Sequence, residues 1–171
     1  STNIINTKSL ESCSENAFSG SMYRLRESND DVIQIGCLID SIRRDACELT
    51  IPADVKHISK NVCVDKLKKV TLKSFSQLFL FDKSKFKDID TVFFDMTDVI
   101  NFNFRRIIPE CIHNFEISSK NPYYMCKNGI LYTKDEKTIL LCPPGYKKEE
   151  LKIEEGVENI SKAPYELLEK Y

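Results

Sequence analysis

Val55-Lys56-His57-Ile58-Ser59-Lys60-Asn61-Val62-Cys63, followed by Lys66-Leu67-Lys68-Lys69-Val70-Thr71-Leu72, contains one complete structural unit in a single run. It ends on Val70-Thr71-Leu72, two apolar side chains two residues apart, which point to the same face when the segment is extended. The same anchor recurs as Tyr23/Leu25, Leu49/Ile51, Val92/Phe94, Phe115/Ile117 and Leu151/Ile153, at successive steps of 26, 21, 22, 23 and 36 residues. A lone unit of this kind cannot bury its apolar face, so the recurrence predicts neighbouring turns stacked on a shared core.

A second apolar position recurs five to seven residues before an anchor: Phe18 before Tyr23, Cys63 before Val70 and Phe86 before Val92. Each turn is therefore expected to have two inward-facing sides. A longer internal copy supports the repeat, because Tyr23 to Ser59 can be laid over Phe115 to Ser161. Leu25 then faces Ile117, Asn29 faces Asn121, Gly36-Cys37-Leu38 faces Gly129-Ile130-Leu131, Leu49-Thr50-Ile51 faces Leu151-Lys152-Ile153, and Val55, Ile58 and Ser59 face Val157, Ile160 and Ser161. Before the last anchor, apolar runs alternate about the polar turn Lys134-Asp135-Glu136-Lys137. That pattern predicts a β-hairpin protruding from the stack over residues 123–143. The turn lacks the glycine of the tightest two-residue loop, so a longer loop is expected.

A period of roughly 20 to 29 residues is the one at which leucine-rich repeats stack. Ser12 to Ser21, Lys66 to Leu72, and Asn121-Pro122-Tyr123-Tyr124 through Asn128-Gly129-Ile130-Leu131-Tyr132-Thr133 to Pro143 resemble BspA-like leucine-rich repeat proteins. The resemblance covers nearly all of residues 12 to 165. Ser59 and Ser161 stand where that family usually has glycine, and Cys63 stands where it usually has phenylalanine. Residues 73 to 111 follow the spacing better than the consensus letters. The resemblance implies a β-rich leucine-rich-repeat solenoid, a short right-handed horseshoe-like stack of five or six turns with a β-hairpin insertion, forming one domain over residues 1–171. It also implies a binding or adhesion role in a cell-surface or secreted protein, without catalysis. Residues 1–11 are expected to be a cap or the start of a fragment.

Composition narrows the function classes. With 171 residues, 42% of them hydrophobic, the chain is long enough for one continuous core. A formal net charge of -1 gives no basic stripe overall, so no nucleic-acid partner is expected. No run approaches the roughly 20 apolar residues of a membrane-spanning helix, so this segment is not expected to insert in a bilayer. Seven cysteines are present, with no C-x-x-C pair, and Asn61-Val62-Cys63-Val64 and Leu140-Leu141-Cys142-Pro143 place two of them in apolar runs. Such thiols are expected mostly as reduced, buried side chains, the alternative being one or two bridges. A secreted origin and an intracellular, cytoplasmic scaffold both remain open on this count.

Catalytic and metal chemistry find little support. Cys111 and His113 would share a face if extended, which allows a thiolate–imidazole contact, but no orienting group or oxyanion turn accompanies them. An ordinary structural thiol and a surface histidine are the favoured reading of the pair. His57, between Val55 and Ile58, reads as an exposed turn residue. Cys111, His113, Cys126 and Cys142 have the ligand types of a zinc site without its short paired spacings. No phosphate-binding glycine motif is present, and no cofactor is expected.

The pleat locates the surface on which binding is expected. With the anchors inward, Arg24, Thr50, Thr71, Phe93, Glu116 and Lys152 point outward, and Arg26, Lys69, Lys73, Thr91 and Asp95 share their face. Phe93 is an aromatic in a polar row, a residue type enriched at interface hot spots. The ligand-binding face expected from the sequence is therefore Arg24, Arg26, Lys69, Thr71, Lys73, Thr91, Phe93, Asp95 and Glu116, presented to a protein or glycan by a monomer or by part of a larger repeat protein. Lysines dominate residues 54 to 87 and glutamates dominate 149 to 158, which reads either as solvated solenoid faces or as steering of an acidic ligand toward the middle turns.

Overall fold

Alternation of buried and exposed side chains writes the central sheet: Lys69, Thr71, Thr91 and Phe93 are half-exposed, while Val70, Leu72, Val92 and Phe94 between them are fully buried. The computed structural model describes residues 27–28, 31–82, 86–146, 149 and 151–161. In chain order its strands are β1 (Glu27–Ser28), β2 (Val32–Ile35), β3 (Leu38–Ile42), β4 (Glu48–Thr50), β5 (His57–Ile58), β6 (Lys69–Leu72), β7 (Thr91–Phe94), β8 (Asn114–Ile117), β9 (Tyr124–Lys127), β10 (Ile130–Thr133), β11 (Thr138–Leu141) and β12 (Asn159–Ile160). A 3-10 helix spans Phe75–Leu80.

β4, β6, β7 and β8 form a parallel sheet in that order. Leu49, Val70, Val92 and Phe115 lie side by side in one row, and Leu72, Phe94 and Ile117 in the next but one. Steps of 21 to 23 residues thus bring successive anchors into register, and residues 73 to 111 follow the same frame. Ladder contacts run past the strand ends: Asp90 donates to the Lys68 carbonyl at 2.9 Å and His113 to the Asp90 carbonyl at 2.8 Å. The chain is a β-solenoid of about five turns, with almost no helix among the described residues.

Burial of the two anchor rows supplies the cohesion. Each fully buried branched or aromatic side chain contributes roughly 1.5 to 3 kcal/mol relative to exposure, and every row is continuous from turn to turn. Phe94 stacks between turns, 5.6 Å from Phe115 and 5.4 Å from Phe75 between ring centroids. Two buried amides clip loops one turn apart. Asn121 donates to the Met96 and Asp98 carbonyls and accepts from the Tyr123 and Tyr124 amides. Gln77 donates to the Pro52 carbonyl and accepts from the Lys73 amide. Such clips satisfy loop backbone groups that the packed turns partly shield from water.

Two copies of a four-stranded unit bracket the ladder. β1, β2, β3 and β5 pair antiparallel, antiparallel and parallel, as do β9, β10, β11 and β12. Both carry an irregularity at the same place, between Ile33 and Gln34 in one and Leu131 and Tyr132 in the other. Ser59 donates to the Ile39 carbonyl and Ser161 to the Ile139 carbonyl, each at 2.9 Å. The internal copy expected from the sequence is thus present at Ile58/Ile160 and Ser59/Ser161. Its middle section is shifted by one strand: the counterpart of Gly36 is Glu136, not Gly129, and the two share a left-handed backbone, φ 57° and 63°.

Other expectations change. Leu151-Lys152-Ile153 forms no strand, and Ile153 is 54% exposed: β8 is the last strand of the parallel sheet, and the chain beyond it builds the separate sheet of β9 to β12. Phe115 donates instead to the Gly129 carbonyl at 2.9 Å. The insert does not protrude. It has three strands, and its Tyr124, Leu131 and Leu141 join the main core. Cys63 is exposed, and the buried side chains of its turn are Val62 and Leu67. Phe86 does occupy the core. Residues 1–11, Phe18 and the Tyr23/Leu25 anchor lie outside the described residues.

Candidate binding face

Strands β6, β7 and β8 place the expected surface residues on adjacent rungs roughly 4.8 Å apart. Lys69 pairs with Thr91, Thr71 with Phe93, and Phe93 with Glu116. These residues, with Lys73 and Asp95 just past the strands, lie on the face opposite the anchors and are all half-buried. Thr50 and Glu48 of β4 continue the face and are exposed. Arg24 and Arg26 lie outside the described residues. Lys152 is exposed but belongs to no strand, so it is not part of this face.

The face is largely neutralised within itself. The Lys69 ammonium reaches diagonally over two rungs, 5.7 Å above the Phe93 ring centroid, to the Glu116 carboxylate at 3.0 Å. Lys73 pairs with Asp95 on the neighbouring rung. Such half-exposed pairs contribute little to stability, but they fix side-chain positions. Phe93 faces outward as a ring capped by a cation, and two of the lysines that suggested a basic middle have carboxylate partners. Behind the end of the row, burial and then the charge of Glu116 push the Cys126 thiol up to about 12.

The structure places the candidate catalytic and metal-ligating side chains as follows. Cys111 lies in a turn, its thiol donating to the Phe86 carbonyl at 3.3 Å, and burial raises its pKa. A group that holds its proton and points at a carbonyl is poorly placed as a nucleophile. His113 is exposed and meets the ladder through its backbone amide. His57 lies exposed in β5. Among the described residues no group of three or more His, Cys, Asp or Glu side chains is placed to hold a metal ion. No described helix is long and apolar enough to cross a membrane.

A second concavity, unanticipated from the sequence, opens where the chain leaves β6 and β7. It has a volume of about 690 Å3 and is floored by Phe75, Phe79 and Phe104. Its residues come from two loops some 25 positions apart, and their aromatic spacing within each loop is too irregular to mark a site.

No protein-family model and no curated protein matches the sequence. Among solved structures, a leucine-rich repeat protein from Eubacterium ventriosum is similar at 15% sequence identity with a TM-score of 0.29. The similarity covers 67% of this chain and 43% of that one, so the chain spans less than half the length of that protein. The repeat assignment rests on the parallel register of β4, β6, β7 and β8.

Proposed function

We propose that the chain is a non-enzymatic binding module of the BspA-like kind, presenting the outer face of β6, β7 and β8 to a protein or glycan at a cell surface or in secreted form. The observation that carries the reading is the row Thr71–Phe93–Glu116, with Lys69 laid across it. An accessible aromatic edge sits on a rigid ladder among hydroxyls and paired charges. Rigid aromatic side chains on a preorganised scaffold are efficient recognition elements because little entropy is lost on binding. Repeat solenoids generally serve interaction through such extended surfaces. The hairpin region around Asn128-Gly129, where the BspA-like resemblance is most specific, supports the family reading.

An intracellular scaffold is the second reading, and the cysteines bear on both. A disulfide at Cys37 favours passage through an oxidising compartment, while free thiols at Cys47, Cys63, Cys111, Cys126 and Cys142 favour a reducing one.

The test is a screen of the immobilised chain against a glycan array and a panel of extracellular-matrix proteins, repeated with Phe93→Ala/Thr71→Arg. Saturable hits on the native chain should weaken at least about tenfold in the variant, the scale of a lost hot spot. Hits of equal strength on both would remove this face from binding.

A further inference from the structure

The cleft at the exit of β6 and β7 combines an aromatic floor with two unpaired cations. Phe104 packs 5.3 Å from Phe75 and 5.2 Å from Phe79 between centroids, and Phe79 and Phe104 both remain half-exposed. Val99 at its border is 63% exposed, a large apolar side chain left to water beside an apolar hollow. Arg105 and Arg106 line the same cleft and are exposed. The other described arginines are engaged: Arg43 with Asp31 and Asp45, Arg44 with Asp65. Arg105 and Arg106 have no carboxylate partner among the described residues, and Asp98, which also borders the cleft, pairs with neither.

A volume of about 690 Å3 holds one or two large side chains, within the usual range of about 300 to 1,000 Å3 for ligand pockets. Guanidinium groups present paired N–H donors that match a carboxylate, and aromatic residues with arginine are the types enriched at interface hot spots. We propose that this cleft docks an acidic linear peptide segment, which inserts an aromatic or branched apolar side chain against Phe75, Phe79 and Phe104 while its carboxylates engage Arg105 and Arg106. The site is separate from the ladder face: it is built from the loops after the strands, and none of the row residues lines it.

The chain contains no tryptophan, so the emission of a tryptophan-bearing peptide reports the peptide's own surroundings. The probe is a capped hexapeptide, Glu-Glu-Leu-Trp-Glu-Glu, titrated with the full chain at low salt. Saturable quenching or a blue shift is expected, weakening as salt is raised. The Lys-Lys-Leu-Trp-Lys-Lys counterpart should bind at least about tenfold more weakly, as should the acidic peptide to Arg105→Glu/Arg106→Glu, which alters only exposed side chains. Asp98→Asn should tighten binding of the acidic peptide. An acidic peptide with Ser in place of both Leu and Trp should fail to compete. Phe93→Ala should bind the probe like the native chain, which separates this site from the ladder face. Equal affinity for the acidic and basic peptides, native affinity in the double arginine variant, competition by the serine peptide, or no saturable change would each overturn the proposal.

Discussion

Val70 and Thr71 are chain neighbours with opposite fates, and the difference between them is the sharpest statement of register at the scale of single residues. Val70 has no exposed surface, whereas Thr71 is half-exposed on the row of Phe93. Val70→Asp would put a carboxylate into a core shared by three turns with no partner for it, a cost of about 3 to 5 kcal/mol or more. Against a total stability of roughly 5 to 15 kcal/mol, that unfolds most of the population. Thr71→Asp meets water and the nearby Lys69 and Lys73, so it should change stability by no more than about 1 kcal/mol. Urea midpoints of the two variants check this, and equal midpoints would mean that the pleat runs the other way. Phe93 was legible as outward from the same alternation. The Lys69 cap over it was not, because a lysine's reach across two rungs depends on which strands become neighbours. Asn121 and Gln77 were illegible for a related reason: an amide buried to serve loops one turn away looks like any loop amide until the turns are stacked.

At the scale of elements, the parallel ladder was readable because apolar-x-apolar at 21 to 23 residues admits one register. The duplicated four-stranded unit was readable only where its strands keep the same length. Both copies turn through a left-handed residue, glycine at Gly36 but glutamate at Glu136. A side chain in that conformation costs on the order of 1 kcal/mol, and the exposed Glu136–Lys127 contact at 3.4 Å returns little of it. Glu136→Gly should therefore raise stability by roughly 0.5 to 1 kcal/mol. Gly129 predicts the opposite. Its φ is 79°, and an added Cβ would lie 2.6 Å from the Asn114 side-chain oxygen and 3.2 Å from the Asn114 Cα. Gly129→Ala strains the turn and pushes the β9–β10 pair off the edge of β8, costing about 1 to 3 kcal/mol. Thermal midpoints moving up for the first variant and down for the second would tie the hairpin to the ladder. A neutral Gly129→Ala would mean that the sheet closure tolerates displacement. The cleft of Phe75, Phe79 and Phe104 stayed hidden because it exists only once the loops after β6 and β7 lie side by side.

At the scale of the whole molecule, the thiols report how the stack excludes water. Cys47 and Cys63 are exposed, Cys111 and Cys126 are half-buried and Cys142 is buried. In the native state at pH 8, a thiol reagent should modify Cys47 and Cys63 quickly and the other three only as the solenoid opens. Unfolding without reductant should make Cys47, Cys63, Cys111, Cys126 and Cys142 reactive, whereas Cys37 should react only after reduction, because it is bridged. Seven thiols before reduction would refute the bridge and remove the observation favouring an oxidising compartment. The same groups set the alkaline limit. Burial raises the Cys126 thiol from the usual 9.0 to about 12 and Cys142 to about 11. A thiol with a raised pKa keeps its proton in the folded state after the unfolded chain has lost it, so stability is intact below pH 9.0 and falls as pH rises toward 11 and 12. The loss is at most roughly 1.4 kcal/mol per pH unit per thiol, and burial of Tyr132 acts in the same direction. Cys126→Ala removes one of these groups and should flatten the decline of the urea midpoint between pH 9 and 11, while leaving its value at pH 7 changed only by the packing lost. An unchanged slope would mean that water reaches Cys126 behind Glu116, and that the end of the ladder is open to solvent where the β9–β10 pair is meant to seal it.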